Sequence, residues 1–339
     1  MSLTHFLASY LFAFLFWWGI ALGCLFILML QNLTGGRWGG LLRPILEAAS
    51  RTLPVLAVCF LPVLIGASAL YPWAQPGAAT GLHQAAYLNP LFFMGRSVVY
   101  FTVWIALAWR LTREPARSVT ALSAAGLLLY AFTVSFASID WIMSLEPHWS
   151  SSIYGLLIGM GQVLSAFAFA IAVFCRRSAL ESSSKPSDLA GTFNDLGNLL
   201  LTAVMTWAYL AFMQVLIIWM GNLPHENPWV LARTAGAWRW AAIGLTVLQF
   251  AVPAWLLLFR SFKRRAPVLG GIALGLLMVH LLEVYWLVLP AFFPSGPRPS
   301  VWDLALPLAI GGVWLWAFGW QLRRRPLTDA QAREGFDHG

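Results

Sequence analysis

The chain has 339 residues, of which 60% are hydrophobic and only 10% charged, against the roughly 25% charged that soluble domains carry. This composition excludes a water-soluble fold, and at about 20 apolar residues per crossing it leaves room for roughly eight to ten membrane helices. The excess of 21 Lys and Arg over 13 Asp and Glu belongs, in a membrane protein, to cytoplasmic loops, so nucleic acid is excluded as a partner.

Taken in chain order, the apolar runs predict helices over 6–30, 53–70, 91–111, 118–145, 153–175, 196–223, 238–259, 268–292 and 304–322. The fold class is therefore all-α, a polytopic membrane bundle of about nine helices filling residues 1–322. Pro62 and Pro253 lie inside runs and predict kinks rather than breaks, because neighbouring helices can satisfy the freed carbonyls. The first run has no basic n-region or small-residue cleavage site, so it reads as a retained helix. The Gly-Gly-Arg-Trp-Gly-Gly stretch at 35–40 reads as a tight cytoplasmic turn, and Ser182 to Ser187 as a cytoplasmic linker. Residues 323–339 form a polar cytoplasmic tail.

Nine crossings put alternate loops on opposite faces. Seventeen of the 21 basic residues then share one face, while only Arg233, Arg239 and Arg298 lie on the other and Arg96 falls within the third run. By the positive-inside rule the N-terminus is outside and the C-terminus in the cytoplasm.

Several redox chemistries lack their ligands. Cys24, Cys59 and Cys175 form no C-x-x-C pair, so neither a disulfide framework nor a thiolate metal or iron–sulfur site is expected. Of six histidines only His280 lies well inside a run, whereas a membrane haem commonly takes two. No Walker loop, dinucleotide fingerprint or nucleophile elbow occurs.

An ionisable group inside a membrane helix costs about 2.5–3.5 kcal/mol and needs a partner, a cavity or a task. Arg96 and Asp140 share a depth near the outer face; they read either as a buried ion pair or as part of a ligand site. His280 and Glu283 are spaced i, i+3 and share a helix face. A carboxylate beside an imidazole suits proton relay or proton acceptance from a quinol. Gln214 and Tyr209, with Gln249 and Gln162, add neutral hydrogen-bonding groups. Asp195 and Glu47 are the candidates for cytoplasmic proton uptake. In the external loops Trp141, Trp149 and Trp229 are explained as interfacial aromatics. Glu146, His148, His225 and Glu226 are not so explained and are candidates for helix caps or for docking an extracytoplasmic partner.

Three strings carry a family resemblance: SFASIDWIMSLEPHWSSSIYG (Ser135 to Gly155), DLGNLLLTAVMTWAYLAFMQVLIIWMGNLPHENPWVLAR (Asp195 to Arg233) and LEVYWLVLP (Leu282 to Pro290). With LTGGRWG (Leu33 to Gly39) and LEAASRTLP (Leu46 to Pro54), they cover most of the chain. They resemble the F subunit of alternative complex III, an NrfD/PsrC-like membrane subunit of a quinol:cytochrome c oxidoreductase. The resemblance implies two four-helix bundles, here 1–145 and 151–292, with a flanking helix at 304–322, the family's first helix having no counterpart. It also implies a bacterial cytoplasmic membrane, menaquinone or ubiquinone as the redox molecule, and three kinds of partner: multihaem cytochrome c subunits, an extracytoplasmic iron–sulfur subunit and a second NrfD-like subunit. In the quinol-oxidising sister subunit an Asp near the outer end of a bundle helix helps bind quinol, and Asp140 lies in a similar context. A free-standing secondary transporter and a purely structural anchor are the alternatives, the first disfavoured by the lack of obviously broken helices at mid-membrane.

Overall fold

The computed structural model describes residues 3–75, 77, 86–113, 116–180, 186–224 and 226–324. These residues form helices and no strand. Nine helices among them are long and apolar enough to cross a membrane, so the chain is a multi-pass membrane protein. The crossings are α1 (Leu3–Thr34), α2 (Trp38–Ile65), α3 (Pro90–Leu111), α4 (Ala116–Trp141), α5 (Tyr154–Leu180), α6 (Pro186–Gly221), α7 (Trp238–Leu258), α8 (Ala266–Val288) and α9 (Trp302–Arg323).

The largest departure from expectation is at α2. Only Gly35 and Gly36 make the turn, with φ of 68° and 102°, values that glycine adopts without a side-chain penalty. The next residues, Arg37–Ser50, are already helical. A search for long apolar runs misses this helix because half of it is polar. Its signal is instead the i, i+3, i+4, i+7 spacing of Leu42, Ile45, Leu46 and Ala49, all of them buried.

The two internal prolines act differently. Before Pro62 the helical hydrogen bonding is interrupted at the single residue Phe60, which keeps helical backbone angles (φ −82°, ψ −17°), and resumes as Leu61–Ile65, within the one crossing Trp38–Ile65. Before Pro253 the chain runs on through a π-helical segment, Thr246–Ala251. Proline has no N–H and its ring crowds the carbonyl four residues back, which here belongs to Gln249. The wider π turn is one way of absorbing that conflict.

Helix α1 is buried along almost its whole length and packs along α5, with α8 against α5 and α9 against α1. Lipid tails are as apolar as leucine, so such packing relies on close van der Waals fit through small residues. At Gly23 of α1 a Cβ would run into the backbone carbonyl of Gln162 and lie 2.8 Å from the Cβ of Ala166 on α5. The missing side chain is what allows these helices to touch. Around the middle of α1 lies an aromatic cluster, with Trp18 and Trp141 at 5.0 Å, Trp18 and Trp104 at 5.6 Å, and Phe60 and Trp141 at 4.3 Å between ring centres.

Candidate functional site

Two buried clusters of ionisable groups lie toward the Arg-poor end of the bundle. In the first, Arg96 of α3 grips Asp140 of α4 through Nε and Nη2, both at 2.8 Å. Tyr100 Oη donates to the same carboxylate at 2.7 Å, and Arg96 Nη1 donates to the Tyr87 carbonyl at 3.1 Å. The Tyr87 and Phe92 rings lie 3.8 and 4.3 Å from the guanidinium carbon. Asp140 is fully buried. With three charge-assisted or phenolic donors on its two oxygens, it is occupied by protein groups. Burial, reinforced by the nearby Asp140 charge, pushes the Tyr87 hydroxyl above its ordinary pKa.

The second cluster gathers three helices on Glu283. Trp207 Nε1 of α6 donates to its Oε1 at 2.7 Å, and Gln249 Nε2 of α7 donates to its Oε2 at 2.6 Å. His280 Nδ1, one turn earlier on α8, lies 2.8 Å from the same Oε2. Gln249 is the residue whose carbonyl faces the Pro253 conflict, and it sits within the π-helical segment. Its Oε1 is buried without a partner among the described residues.

This carboxylate lines an apolar cavity of about 570 Å³ between α6, α7 and α8, together with Trp207, Tyr209, Phe212, Leu245, Phe250 and Trp286 among others. Tyr209 and Phe212 are exposed, so the cavity opens on the outer surface of the bundle where lipid tails would lie. A second cavity, of about 500 Å³, lies beside the end of α4 and is lined by Ser144, Ser151, Trp149 and Glu226. Gln214 lines both cavities and is held by Ser151 Oγ, which donates to its Oε1 at 2.6 Å.

Over both cavities the loops are clamped together. Arg233, in the short helix Asn227–Thr234, donates to Glu146 Oε2 at 2.6 Å and to the Leu287 carbonyl at 2.9 Å. The Trp149 and Trp229 rings stack at 4.3 Å and 7°, and the Arg233 guanidinium lies 4.2 Å from the Trp229 ring centre. Glu146 is thus paired within the chain and 26% exposed. His148 is exposed, Glu226 is half-buried at the start of the short helix, and His225 lies outside the described residues.

On the opposite side, Glu47 accepts from Arg43 at 2.8 Å, and Asp195 is exposed on α6. The hydrogen bonds of the Glu283 cluster reach neither of them. The structure therefore brings together Arg96 with Asp140 and His280 with Glu283, with Tyr209 and Gln214 around the cavity that Glu283 lines. Sequence reasoning missed Tyr100, Trp207 and Arg233. For Arg233 a signal existed: a base on the face that membrane proteins keep poor in bases, set among tryptophans and acids. Among the described residues no group of three or more His, Cys, Asp or Glu is placed to hold a metal.

Fold and clusters together define a multi-pass helical membrane protein with a buried carboxylate in the lining of an apolar cavity that opens on the bundle surface. Comparison with protein-family models and with curated proteins finds no match.

Proposed function

We propose that the chain is the membrane subunit of a quinol-oxidising electron-transfer complex of the alternative complex III type, and that Glu283 is the group that meets the quinol. The observation that carries this reading is the apolar cavity lined by Glu283, the one charged side chain among its lining residues. Ligand sites of this kind are apolar chambers with few, well-placed polar groups. A menaquinol or ubiquinol has that shape: a long apolar tail and a ring bearing two hydroxyls. Its oxidation releases two protons and two electrons, so the site needs a base. Glu283 supplies a carboxylate oriented by Trp207 and Gln249, with His280 Nδ1 at 2.8 Å as its third hydrogen-bonding partner. The unpartnered Gln249 Oε1 is an acceptor for a hydroxyl.

Asp140 suits this task less well than its sequence context suggests, because it lines none of these cavities and the Arg96 guanidinium neutralises its charge, whereas Glu283 lines the apolar cavity. In this reading the Arg96–Asp140 pair holds the first half of the bundle together. The electrons pass to redox partners of the kinds the family resemblance implies: multihaem cytochromes, an extracytoplasmic iron–sulfur subunit and a second NrfD-like subunit. The uneven distribution of basic residues supports an external N-terminus and a cytoplasmic C-terminus in a bacterial cytoplasmic membrane. The Glu283 cluster then lies nearer the outer face.

Quinol turnover by the assembled complex tests the assignment. Glu283→Gln keeps the shape and removes the base, and a lost general base lowers the rate about a hundredfold or more. Labelling of α6 to α8 by a photoreactive quinone should be retained in that variant. Full turnover in Glu283→Gln, or labelling confined to residues around Asp140, would refute the reading.

A further inference from the structure

We propose that a single water molecule is bound between α1, α5 and α8, where it joins Trp18 and Gln162 to the His280–Glu283 pair. A small cavity of about 20 Å³ lies there, lined by Trp18, Gly19, Gly161, Gln162, His280 and Glu283 among others. One water needs roughly 10–15 Å³ of such space and two to four polar partners. Glycines open this space. A Cβ built on Gly19 would stand 3.4 Å from Gln162 Cγ and 3.9 Å from His280 Nε2. A Cβ on Gly161 would stand 3.4 Å from His280 Cε1 and 3.7 and 3.8 Å from the two Glu283 oxygens.

The polar groups around the cavity are mismatched in the way one water corrects. Trp18 Nε1–H and Gln162 Nε2–H are both buried donors without a partner among the described residues. The amide orientation of Gln162 is set on its other side, where Tyr130 Oη donates to Oε1 at 2.7 Å. Leaving a buried donor without a partner is unfavourable, and a water can accept from both. Its own hydrogens need acceptors. When His280 Nδ1–H donates to the ionised Glu283, its Nε2 keeps a lone pair and accepts one of them.

The outcome is a hydrogen-bonded line from Glu283 through His280, the water and Gln162 to Tyr130 of α4. It links the carboxylate on α8 to the other half of the bundle and makes Gln162 and Trp18 positioning residues for the water. The inference stands on these side chains alone and is separable from the quinol reading, since its test uses no quinol.

The test uses the full chain in lipid nanodiscs. A cryo-EM map fine enough to show ordered waters should have one peak within hydrogen-bonding reach of both Trp18 Nε1 and Gln162 Nε2. Gly19→Ala places its methyl in the cavity at ordinary contact distances, so the variant should fold and the peak should vanish. In infrared spectra the carboxylate bands of Glu283, assigned by their loss in Glu283→Gln, should shift in Gly19→Ala. Gly161→Ala, which fills the same space from α5, should shift them too and serves if the first variant does not fold. No peak in the unaltered chain, or Glu283 bands unmoved by the methyl that fills the cavity, would overturn the proposal.

Discussion

Replacing Asp140 by Asn leaves the Arg96 guanidinium buried without its countercharge. Asp140 accepts two bonds from Arg96 at 2.8 Å and one from Tyr100 at 2.7 Å. The Asn amide keeps one acceptor oxygen and turns its NH₂ toward a donor, so at least one charge-assisted bond, worth about 1.5–3 kcal/mol, is lost with the charge. Removing one member of a buried ion pair costs about 3–5 kcal/mol. Arg96 keeps 10% of its side chain exposed and still rests on the Tyr87 and Phe92 rings, which places the expected loss near the lower bound, about 3 kcal/mol. The assay is reversible unfolding of the purified chain in mixed micelles, run beside Arg96→Met and the double variant Arg96→Met/Asp140→Leu. A buried pair exchanged for apolar side chains of similar volume is often close to neutral, so the double variant should recover most of the loss. Ordinary polar contacts between membrane helices couple by about 0.6 kcal/mol on average. A coupling no larger than that would refute the view that this pair fastens α3 to α4.

Gly23→Ala and Gly19→Ala, one turn apart on α1, should behave oppositely. The first drives a methyl into the Gln162 backbone and should lower stability by several kcal/mol, a core overpacking cost of about 1–3 kcal/mol being the floor, whereas the second meets ordinary contacts and should fold; thermal unfolding separates them. Arg233→Met removes the clamp on Glu146, and because Glu146 is 26% exposed its freed charge can hydrate. The cost should therefore be about 1–3 kcal/mol rather than that of a fully buried pair, with a red shift in tryptophan fluorescence as the Trp149–Trp229 stack loosens. Gln249→Leu removes one donor to Glu283 and a buried acceptor without a partner among the described residues, and should weaken quinol binding more than it weakens folding, read as a rise in KM with the unfolding midpoint little changed.

Much of this architecture is legible in the amino-acid order because the bilayer imposes it. Spans, their number and the unequal faces follow from apolar length and from where Arg and Lys are allowed to sit. The i, i+3 spacing of His280 and Glu283 is enough to pair them, since one helix supplies both. Arg96 and Asp140 are on different helices, and only their shared depth and the cost of leaving either alone point to the pairing. The convergence of Trp207 and Gln249 on Glu283 is not legible, because it depends on how three helices are rotated about their axes. Pro253 carries a partial sign, since its conflict with the carbonyl four residues back marks the place where α7 departs from regular geometry. The helix Arg37–Ser50 escapes notice for another reason: its apolar face is a stripe, and a criterion of unbroken apolar length cannot see stripes. For the Glu146–Arg233 clamp, opposite charges in two loops far apart in the chain give no sequence signal of contact beyond the oddity of a base on that face.

The measurement that bears most directly on the proposed function is affinity purification of the tagged chain in mild detergent, with haem staining and mass spectrometry of what accompanies it. Co-purification with multihaem cytochromes and an iron–sulfur protein, in a preparation whose quinol oxidation is lost in Glu283→Gln, is the expected result. Recovery of the chain alone, or with partners that carry no redox centre, would contradict it.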